Sequence, residues 1–447
     1  MEQIVVGVVS LGCDKNRVDT EVMLAKLFEG GYTVTQDPSL ADVIIVNTCA
    51  FLESSRREAI ETVIEMAHHK SERCKGIIVT GCLGQKYGDE VFSLLSEADA
   101  VCGINDYDTI CDTVQQVLRG NRLKRIADNS RYILQGDRVL TTPSHYAYLK
   151  IGDGCDNFCS YCLIPYIRGR FRSRKMEDIT DEARKLVESG VRELILVAQD
   201  VTKYGADLYG KPSIVALIRR LSEIEDLKWI RLLYCYPELV DDELLREITE
   251  NDKVVKYIDI PLQHVDDFIL KKMNRRCSEE DVYRLFDKIN SLPVRVDVRT
   301  TFICGFPFET EQTHNKVKEF LKRYRLRNVG FFAYSREKGT AAYNMPQQVH
   351  HNTKKRMVDR LYRLQHDIAV QLNRETVGTR QLCIVDEKLP EEGTYIGRTQ
   401  FMAPVIDGVI YIHSDKPLTP GQFVTVNVTG EAEYDLFGEV CENEFAK

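Results

Sequence analysis

Three cysteines with the spacing C-x3-C-x2-C lie in one short segment of the chain, GDGCDNFCSYC. Thiolates from Cys155, Cys159 and Cys162 could bind three irons of a four-iron cluster and leave the fourth iron open to an outside ligand. Such an open iron is suited to substrate chemistry. Two other interpretations remain open: three buried thiols without a metal, or a zinc site. Zinc usually has four protein ligands or three and a water, and no fourth ligand is close in the sequence.

Three more cysteines each follow a short apolar run in the first part of the chain. Cys13 follows IVVGVVSLG, Cys49 follows VIIVNT and Cys82 follows GIIVTG. The carboxyl ends of parallel strands meet at one edge of an open α/β sheet, where such proteins gather their ligands. These cysteines could therefore be neighbours in space, although more than thirty residues separate each from the next. Burial in the core is the alternative, because unpaired cysteine is common there.

Composition limits the class of protein. The chain has 447 residues, 14 of them cysteine, and a net charge of −8. It is long enough for two or three domains. No signal peptide and no apolar run of bilayer length is present, so we expect a cytoplasmic protein without a membrane contact. Because the cytosol keeps thiols reduced, metal ligation or redox chemistry is favoured over disulfides.

Hydrophobic patterning divides the chain into three domains and a linker. Residues 1–125 alternate β-branched runs with helix-period stretches, which predicts an open parallel α/β domain. Residues 126–145 are polar and weakly periodic, and we interpret them as a linker. Residues 146–376 carry six strand–helix units and a long last helix at 352–376, which fits a partial (βα)6 barrel. Residues 377–440 alternate short strands with Gly and Pro, as in a small antiparallel β-barrel.

The segment of three cysteines, with the aromatic Tyr161 before the last one and at the start of a βα barrel, resembles the radical S-adenosylmethionine (SAM) superfamily. That resemblance implies a 4Fe–4S cluster whose open iron binds SAM and cleaves it to a 5′-deoxyadenosyl radical, chemistry that no side chain can supply. Tyr161 is then expected beside the cofactor. The resemblance also implies contacts to the methionine part of SAM from Gln199 and Asp200 in AQD. It places Gly305 of ICGFPFET near the adenine, and the chain has Phe308 where the family pattern has glycine.

The segments around Cys13, Cys49 and Cys82 resemble the signature of the methylthiotransferases: SLGCDKNRVDTE, NTCAFLESSRREAI and TGCLGQKYGDE. The resemblance implies that these cysteines hold a second 4Fe–4S cluster, whose open iron carries the inserted sulfur. It covers nearly the whole chain, so the terminal barrel is expected to be TRAM-like. One SAM would methylate the sulfur and a second would yield the radical that activates a C–H bond. The other eight cysteines match no ligand position, and we interpret them as packing residues: Cys74, Cys102, Cys111, Cys235, Cys277, Cys304, Cys383 and Cys441.

Sequence motifs and the charge of the terminal barrel indicate the substrate. SLGCDKNRVDTE, YIDIPLQHVDDFILKKMNRR and RTTFICGFPFETE resemble the branch of the family that modifies an aspartate of a small-subunit ribosomal protein, at its β-carbon. Residues 376–447 contain five Lys or Arg against twelve Asp or Glu. An acidic barrel repels RNA and attracts a basic protein. Methylthiolation of an adenosine derivative in tRNA, a non-catalytic iron–sulfur redox sensor, and an acidic surface that only aids solubility remain alternatives. A reductant protein such as flavodoxin or ferredoxin is the other expected partner.

A basic run follows the cysteine segment: Arg168, Arg170, Arg172, Arg174 and Lys175. Its position favours contact with the SAM carboxylate or the substrate aspartate over RNA binding, and we place Arg168 among the cofactor-binding residues. Arg299 is a second candidate carboxylate partner. His264 falls at a predicted strand end, and we expect it to face the cavity.

Overall fold

The computed structural model describes residues 3–129, 133 and 135–441, and three large sheets organise them. The first sheet has six parallel strands in the order β2-β1-β3-β4-β5-β6. These strands are β1 (Val5–Ser10), β2 (Thr33–Thr35), β3 (Val43–Thr48), β4 (Gly76–Gly81), β5 (Ala100–Cys102) and β6 (Leu123–Arg125). The helices that connect them are α1 (Asp14–Glu29), α2 (Glu53–Ala67), α3 (Cys82–Leu94) and α4 (Ile110–Leu118). Every residue of β3 and β4 is buried, as expected for β-branched strands covered on both faces.

The second sheet is also parallel, with six strands in the order β14-β13-β12-β11-β10-β7. These strands are β7 (Tyr146–Lys150), β10 (Glu193–Val197), β11 (Trp229–Leu232), β12 (Val254–Asp259), β13 (Asp297–Cys304) and β14 (Asn328–Ala333). A small two-stranded sheet joins β8 (Gly152–Asp153) to β9 (Arg172–Ser173). The helices are α5 (Ile164–Arg168), α6 (Met176–Glu188), α7 (Ala206–Tyr209), α8 (Ile214–Ser222), α9 (Asp242–Glu250), α10 (Asp267–Lys272), α11 (Glu279–Asn290), α12 (Glu311–Tyr324) and α13 (His351–Thr376).

The third sheet is a closed barrel of five strands in the order β15-β16-β17-β19-β18. These strands are β15 (Arg380–Lys388), β16 (Thr394–Thr399), β17 (Ile410–His413), β18 (Phe423–Ala432) and β19 (Asp435–Val440). All pairs are antiparallel except β17 with β19. A ring with an odd number of strands cannot alternate direction throughout, so one parallel pair is required. With this addition the predicted fold class is confirmed.

The barrel packs against the face of the second sheet that the helices leave free. The Trp229 and Phe423 rings meet edge to face, with their centroids 5.0 Å apart. Glu193 is fully buried and accepts hydrogen bonds from Arg231 Nε (2.8 Å) and from Arg398 Nη1 of the barrel (2.7 Å). A buried carboxylate between two guanidinium groups satisfies its charge locally and fixes the barrel on the sheet.

The segment predicted as a linker, 126–145, contains no helix or strand among its described residues. It is nevertheless attached to both flanking domains, because the Arg138 side chain binds Glu21 Oε2 (3.1 Å) and Glu182 Oε1 (2.6 Å). The predicted domain boundaries stay predictions. No helix in the described part of the chain is long and apolar enough to cross a membrane.

Candidate active site

Cys155, Cys159 and Cys162, here called the loop triad, lie between β8 and α5 at the carboxyl end of β7. The loop needs glycine directly before it: Gly154 has φ +76°, and a Cβ there would lie 2.1 Å from the Arg170 carbonyl oxygen. The backbone N–H of Asn157 points to Cys155 Sγ (3.5 Å), and that of Ile164 points to Cys162 Sγ (3.4 Å). Burial raises the pKa of the Cys155 thiol to about 11, so a bound metal is what would hold it as a thiolate.

Cys13, Cys49 and Cys82, here called the N-terminal triad, follow β1, β3 and β4, which are neighbours in the first sheet. The register places Ser10 opposite Asn47, and Asn47 opposite Thr80, so the three cysteines leave the sheet at one edge. A Cβ on Gly12 would lie 3.0 Å from the Cβ of Cys49, which shows how close the first two loops are. Cys13 is exposed, Cys49 is partly buried and Cys82 is buried. The structure therefore brings together the three cysteines that the sequence separates.

Arg168 joins the two triads. It ends α5, the helix that follows the loop triad and whose Ile167 packs in the core of the first domain. The Arg168 guanidinium binds Asp153 Oδ2 (2.9 Å) and Asp19 Oδ2 (3.0 Å) and lies 3.8 Å from Cys82 Sγ. Burial raises the pKa of the Cys82 thiol to about 12, and the charge of Arg168 opposes that rise. The predicted contact of Arg168 with SAM stays a prediction; in this structure its partners are Asp153, beside the loop triad, and Asp19 and Cys82 of the first domain.

The segment after β11 contacts the loop triad and the residues that follow Cys13. The Tyr234 hydroxyl donates to Asp14 Oδ1 (3.2 Å), next to Cys13, and Lys15 Nζ lies 3.3 Å from the centroid of the Tyr234 ring. Two residues later, the Tyr236 hydroxyl lies 3.7 Å from Cys159 Sγ. Tyr234 has φ +62°, a backbone conformation that costs a non-glycine residue energy and is common at functional sites.

The predicted SAM contacts surround the loop triad. Asp200 accepts a hydrogen bond from Asn157 Nδ2 (3.2 Å), inside the cysteine segment. Gln199 Nε2 donates to Asp153 Oδ1 (3.1 Å), while its Oε1 is buried and has no partner among the described residues. Such an oxygen is available to a donor on a bound ligand. Tyr161 meets Phe306, the neighbour of Gly305, edge to face at 6.4 Å.

A buried carboxylate fixes the turn at Gly305. Glu309 Oε2 accepts the backbone N–H groups of Gly305 (2.6 Å) and Phe306 (3.1 Å), while His314 Nδ1 lies 3.2 Å from Oε1. Burial opposes ionisation of Glu309, but the nearby imidazoles of His264 and His314 lower its pKa to about 2. The expectation that His264 faces the cavity is wrong. It is fully buried, with Nδ1 accepting from the Asp266 N–H and Nε2 3.7 Å from Glu309.

Other predicted residues have structural partners. Phe308 has φ +72°, so it keeps the backbone conformation that glycine adopts easily at this place in the family pattern. Arg299 Nη1 binds Asp259 Oδ1 (3.1 Å), and its Nε lies 3.5 Å from Asp407 of the barrel. Arg174 Nη1 binds the Lys150 carbonyl oxygen (2.8 Å) and Glu182 (2.6 Å).

Six of the eight cysteines interpreted as packing residues are buried, and Cys111 and Cys441 are partly buried.

The donor sets fit iron–sulfur clusters. Within residues 3–129, 133 and 135–441, no three of the His, Cys, Asp and Glu side chains converge closely enough for one metal ion. A four-iron cube binds its thiolates through different iron atoms, so its ligands stand farther apart than those of a single ion. Each triad offers thiolates alone, and the loop triad adds N–H groups directed at sulfur, as cluster sites do.

Comparison with known proteins now adds the family. Three family profiles match the chain: "Uncharacterized protein family UPF0004" over residues 5–103, "Radical SAM superfamily" over 149–321 and "TRAM domain" over 377–441. The chain is 44% identical to "Ribosomal protein uS12 methylthiotransferase RimO" of Clostridium tetani, covering 99% of both chains. It is 48% identical to the protein of the same name from Caldanaerobacter subterraneus, covering 97% of this chain and 99% of that one. The chain belongs to the RimO family.

The RimO family was the resemblance expected from the sequence, and it is confirmed. A solved structure supports the fold alone: the radical SAM methyltransferase TsrM from Kitasatospora setae matches with a TM-score of 0.53 at 13% identity, covering 85% of this chain and 78% of that one.

Sequence reasoning missed several residues of the site in this RimO-family chain. Tyr234, Tyr236, Arg275 and Glu309 received no role, although each contacts a triad, the residues around one, or the turn at Gly305. For Tyr234 and Tyr236 a signal existed, since they lie near the end of the predicted strand WIRLLYCYP (229–237), beyond the last residue of β11. For Glu309 the contact to the N–H of Gly305 appears only once the turn is formed.

Proposed function

We propose that the chain is a SAM-dependent methylthiotransferase that replaces a hydrogen on the β-carbon of an aspartate in ribosomal protein uS12 with a methylthio group. Its RimO relatives carry that activity in their names, and neither alternative, tRNA modification or a non-catalytic sensor, finds support among them. The radical SAM domain supports SAM and an iron–sulfur cluster as cofactors. The proposal further includes two 4Fe–4S clusters, one held by each triad.

The observation that carries the proposal is the pairing of two three-thiol sets through shared residues. Arg168 extends from the helix after the loop triad to Cys82, and the turn after β11 touches Asp14 with Tyr234 and Cys159 with Tyr236. One cluster alone would serve SAM cleavage. Two linked three-thiol sites fit a reaction that needs both a radical and a sulfur carrier.

The chain positions the reactants with its own side chains. When bound, the cluster of the loop triad supplies the electron that cleaves SAM, and the cluster of the N-terminal triad supplies the site of sulfur transfer. Gln199 Oε1 would accept from the amino group of SAM, and Asp200 fixes Asn157 inside the cysteine segment. The turn held by Glu309 fixes the backbone of Gly305, which would lie near the adenine of bound SAM.

The surface of the terminal barrel suits a basic protein partner. Two of its carboxylates serve the fold: Asp386 binds Arg398 (2.7 Å), and Asp407 accepts from the Tyr257 hydroxyl (2.8 Å). The exposed carboxylates that remain include Glu387, Glu391, Glu392, Asp415, Glu433 and Glu439. Ribosomal proteins are basic, and such complementarity raises the association rate most at low salt. A reductant protein of the flavodoxin or ferredoxin class completes the proposal as electron donor.

The test compares a strain lacking the gene with the same strain carrying the native gene or the Cys159→Ala gene. Mass spectrometry of uS12 peptides and of tRNA nucleosides is run on all three. We expect the methylthio group on the uS12 aspartate to appear only with the native gene, and tRNA nucleosides to be identical in all strains. Loss of a methylthio nucleoside from tRNA, with uS12 unchanged, would overturn the proposal in favour of tRNA.

A further inference from the structure

The three thiols of the loop triad have unequal surroundings. Cys155 and Cys162 each receive one backbone N–H. Cys159 Sγ instead lies 3.7 Å from the Tyr236 hydroxyl. Among the described residues, the Tyr236 hydroxyl is therefore placed to stabilise negative charge on Cys159, whereas the contacts to Cys155 and Cys162 come from backbone N–H groups.

A buried cation lies behind Tyr236. The Arg275 guanidinium carbon is 4.2 Å from the centroid of the Tyr236 ring, and its Nη2 donates to the Pro261 carbonyl oxygen (2.9 Å). Arg275 is 7% exposed, and its Nε has no hydrogen-bond partner among the described residues. The positive charge of Arg275 therefore acts on Tyr236 and Cys159 through a poorly solvated space, where electrostatic effects are stronger than in water.

We propose that Tyr236 and Arg275 raise the reduction potential of the cluster held by the loop triad. The inference rests on the proposed function, because it requires that cluster. One-electron reduction takes an electron from an external one-electron reductant and adds negative charge to the cluster and its thiolates, without forming or breaking a protein bond. A hydroxyl donor and a nearby cation stabilise the reduced state more than the oxidised state. Both are therefore positioning residues that make the cluster easier to reduce before SAM is cleaved.

The test is a potentiometric titration of the full-length, anaerobically reconstituted holoenzyme, followed by electron paramagnetic resonance. The signal that changes on addition of SAM reports the loop-triad cluster. Native protein is compared with Tyr236→Phe, Arg275→Gln and Arg275→Lys. Tyr324→Phe is the matched control, because this buried tyrosine ends α12 and donates to Asp287 Oδ1 of α11 (2.8 Å).

We expect Tyr236→Phe to lower the equilibrium constant for one-electron reduction at least tenfold, which is about 59 mV toward more negative potential. Arg275→Gln should shift the potential in the same direction and Arg275→Lys less, since lysine keeps the charge. Tyr324→Phe should leave it unchanged.

Unchanged or more positive potentials in Tyr236→Phe and Arg275→Gln, at full iron content, would overturn the inference. If Tyr236→Phe does not retain iron, the two Arg275 variants decide, and equal shifts in both would contradict the role of charge. If the native protein holds no SAM-responsive cluster, the proposed function fails instead, so the two failures are distinguishable.

Discussion

The loop triad and the N-terminal triad are assembled by different means. Cys155, Cys159 and Cys162 come from a single loop, whose shape depends on local backbone and on Gly154. Cys13, Cys49 and Cys82 come from three strand ends, and only the parallel register of β1, β3 and β4 aligns them. A register slip of one residue would turn a strand's side chains to the other face. The first site is thus specified by a short segment, the second by a whole sheet.

Each triad also has a buried arginine nearby, but Arg168 lies beside a thiol of its triad, whereas Arg275 lies behind a tyrosine ring. Arg168 lies 3.8 Å from Cys82 Sγ and is neutralised by Asp19 and Asp153. Arg275 reaches Cys159 only through the Tyr236 ring, and its polar contact is a carbonyl oxygen. The cation at the N-terminal triad is part of a balanced buried network that holds two domains together, whereas the cation at the loop triad is less compensated.

The largest effect should come from deleting one thiol in each triad. Cys159→Ala should abolish formation of 5′-deoxyadenosine from SAM, because the SAM-binding cluster loses a ligand. Cys82→Ala should leave that formation intact and abolish methylthio transfer. Iron content should fall from about eight to about four per chain in each variant. Chromatography of 5′-deoxyadenosine and mass spectrometry of uS12 check both. If Cys82→Ala still methylthiolates uS12, the N-terminal triad is not the sulfur site.

Two glycines allow each triad to be disturbed without touching a ligand. Gly81 has φ +93°, directly before Cys82, and a Cβ there would lie 2.3 Å from Asn47 Oδ1. We expect Gly81→Ala to lose the iron of the N-terminal triad alone, and Gly154→Ala to lose that of the loop triad alone.

Gly120→Ala is the matched control for both glycine variants. Its φ is +81°, but no atom lies within 4 Å of the added Cβ, so it should cost only about 1 kcal/mol of backbone strain and no iron. Iron analysis and the electron paramagnetic resonance signals of the four proteins check the prediction. Loss of both clusters in Gly81→Ala would mean that the triads are not independent.

Much of this architecture could be predicted because hydrophobic period and strand length are local properties. The long helix predicted at 352–376 is α13 (His351–Thr376). The six strands of the second sheet lie where β-branched runs indicated them. The parallel pair of β17 and β19 could not be predicted, since it follows from closing an odd ring of strands. His264 was misjudged for a similar reason: its partner Glu309 lies 45 residues later and meets it only in the folded turn. Contacts between side chains from distant segments are set by packing, which the sequence pattern does not reveal.

Arg168→Gln should weaken the connection between the triads and the fold itself. Among the residues that the structure describes, it leaves buried Asp19 and Asp153 with Lys150 as their remaining cationic partner, and removing one member of a buried ion network typically costs about 3–5 kcal/mol. We expect a lower thermal unfolding temperature of the cluster-free protein. Arg170→Gln, a change at a neighbouring but exposed arginine, is the control and should have a negligible effect. Equal unfolding temperatures of the two variants would show that the ion pairs of Arg168 do not stabilise the fold.

The smallest effect concerns the turn beside the loop triad. Glu309 has a pKa of about 2 against an ordinary value of 4.5, so its ionised form stabilises the fold above pH 4.5 and this contribution is lost as pH falls toward 2. The shift corresponds to an upper limit on the order of 3 kcal/mol. Glu309→Gln should therefore flatten the fall in unfolding temperature of the cluster-free protein between pH 4.5 and 2. Glu392→Gln, at an exposed carboxylate of the barrel, should leave that slope as in the native protein. If both variants keep the native slope, the acid sensitivity of the fold lies outside this turn. Glu309 then acts through its two hydrogen bonds to the Gly305 and Phe306 N–H groups, and a neutral amide oxygen serves as well as a carboxylate.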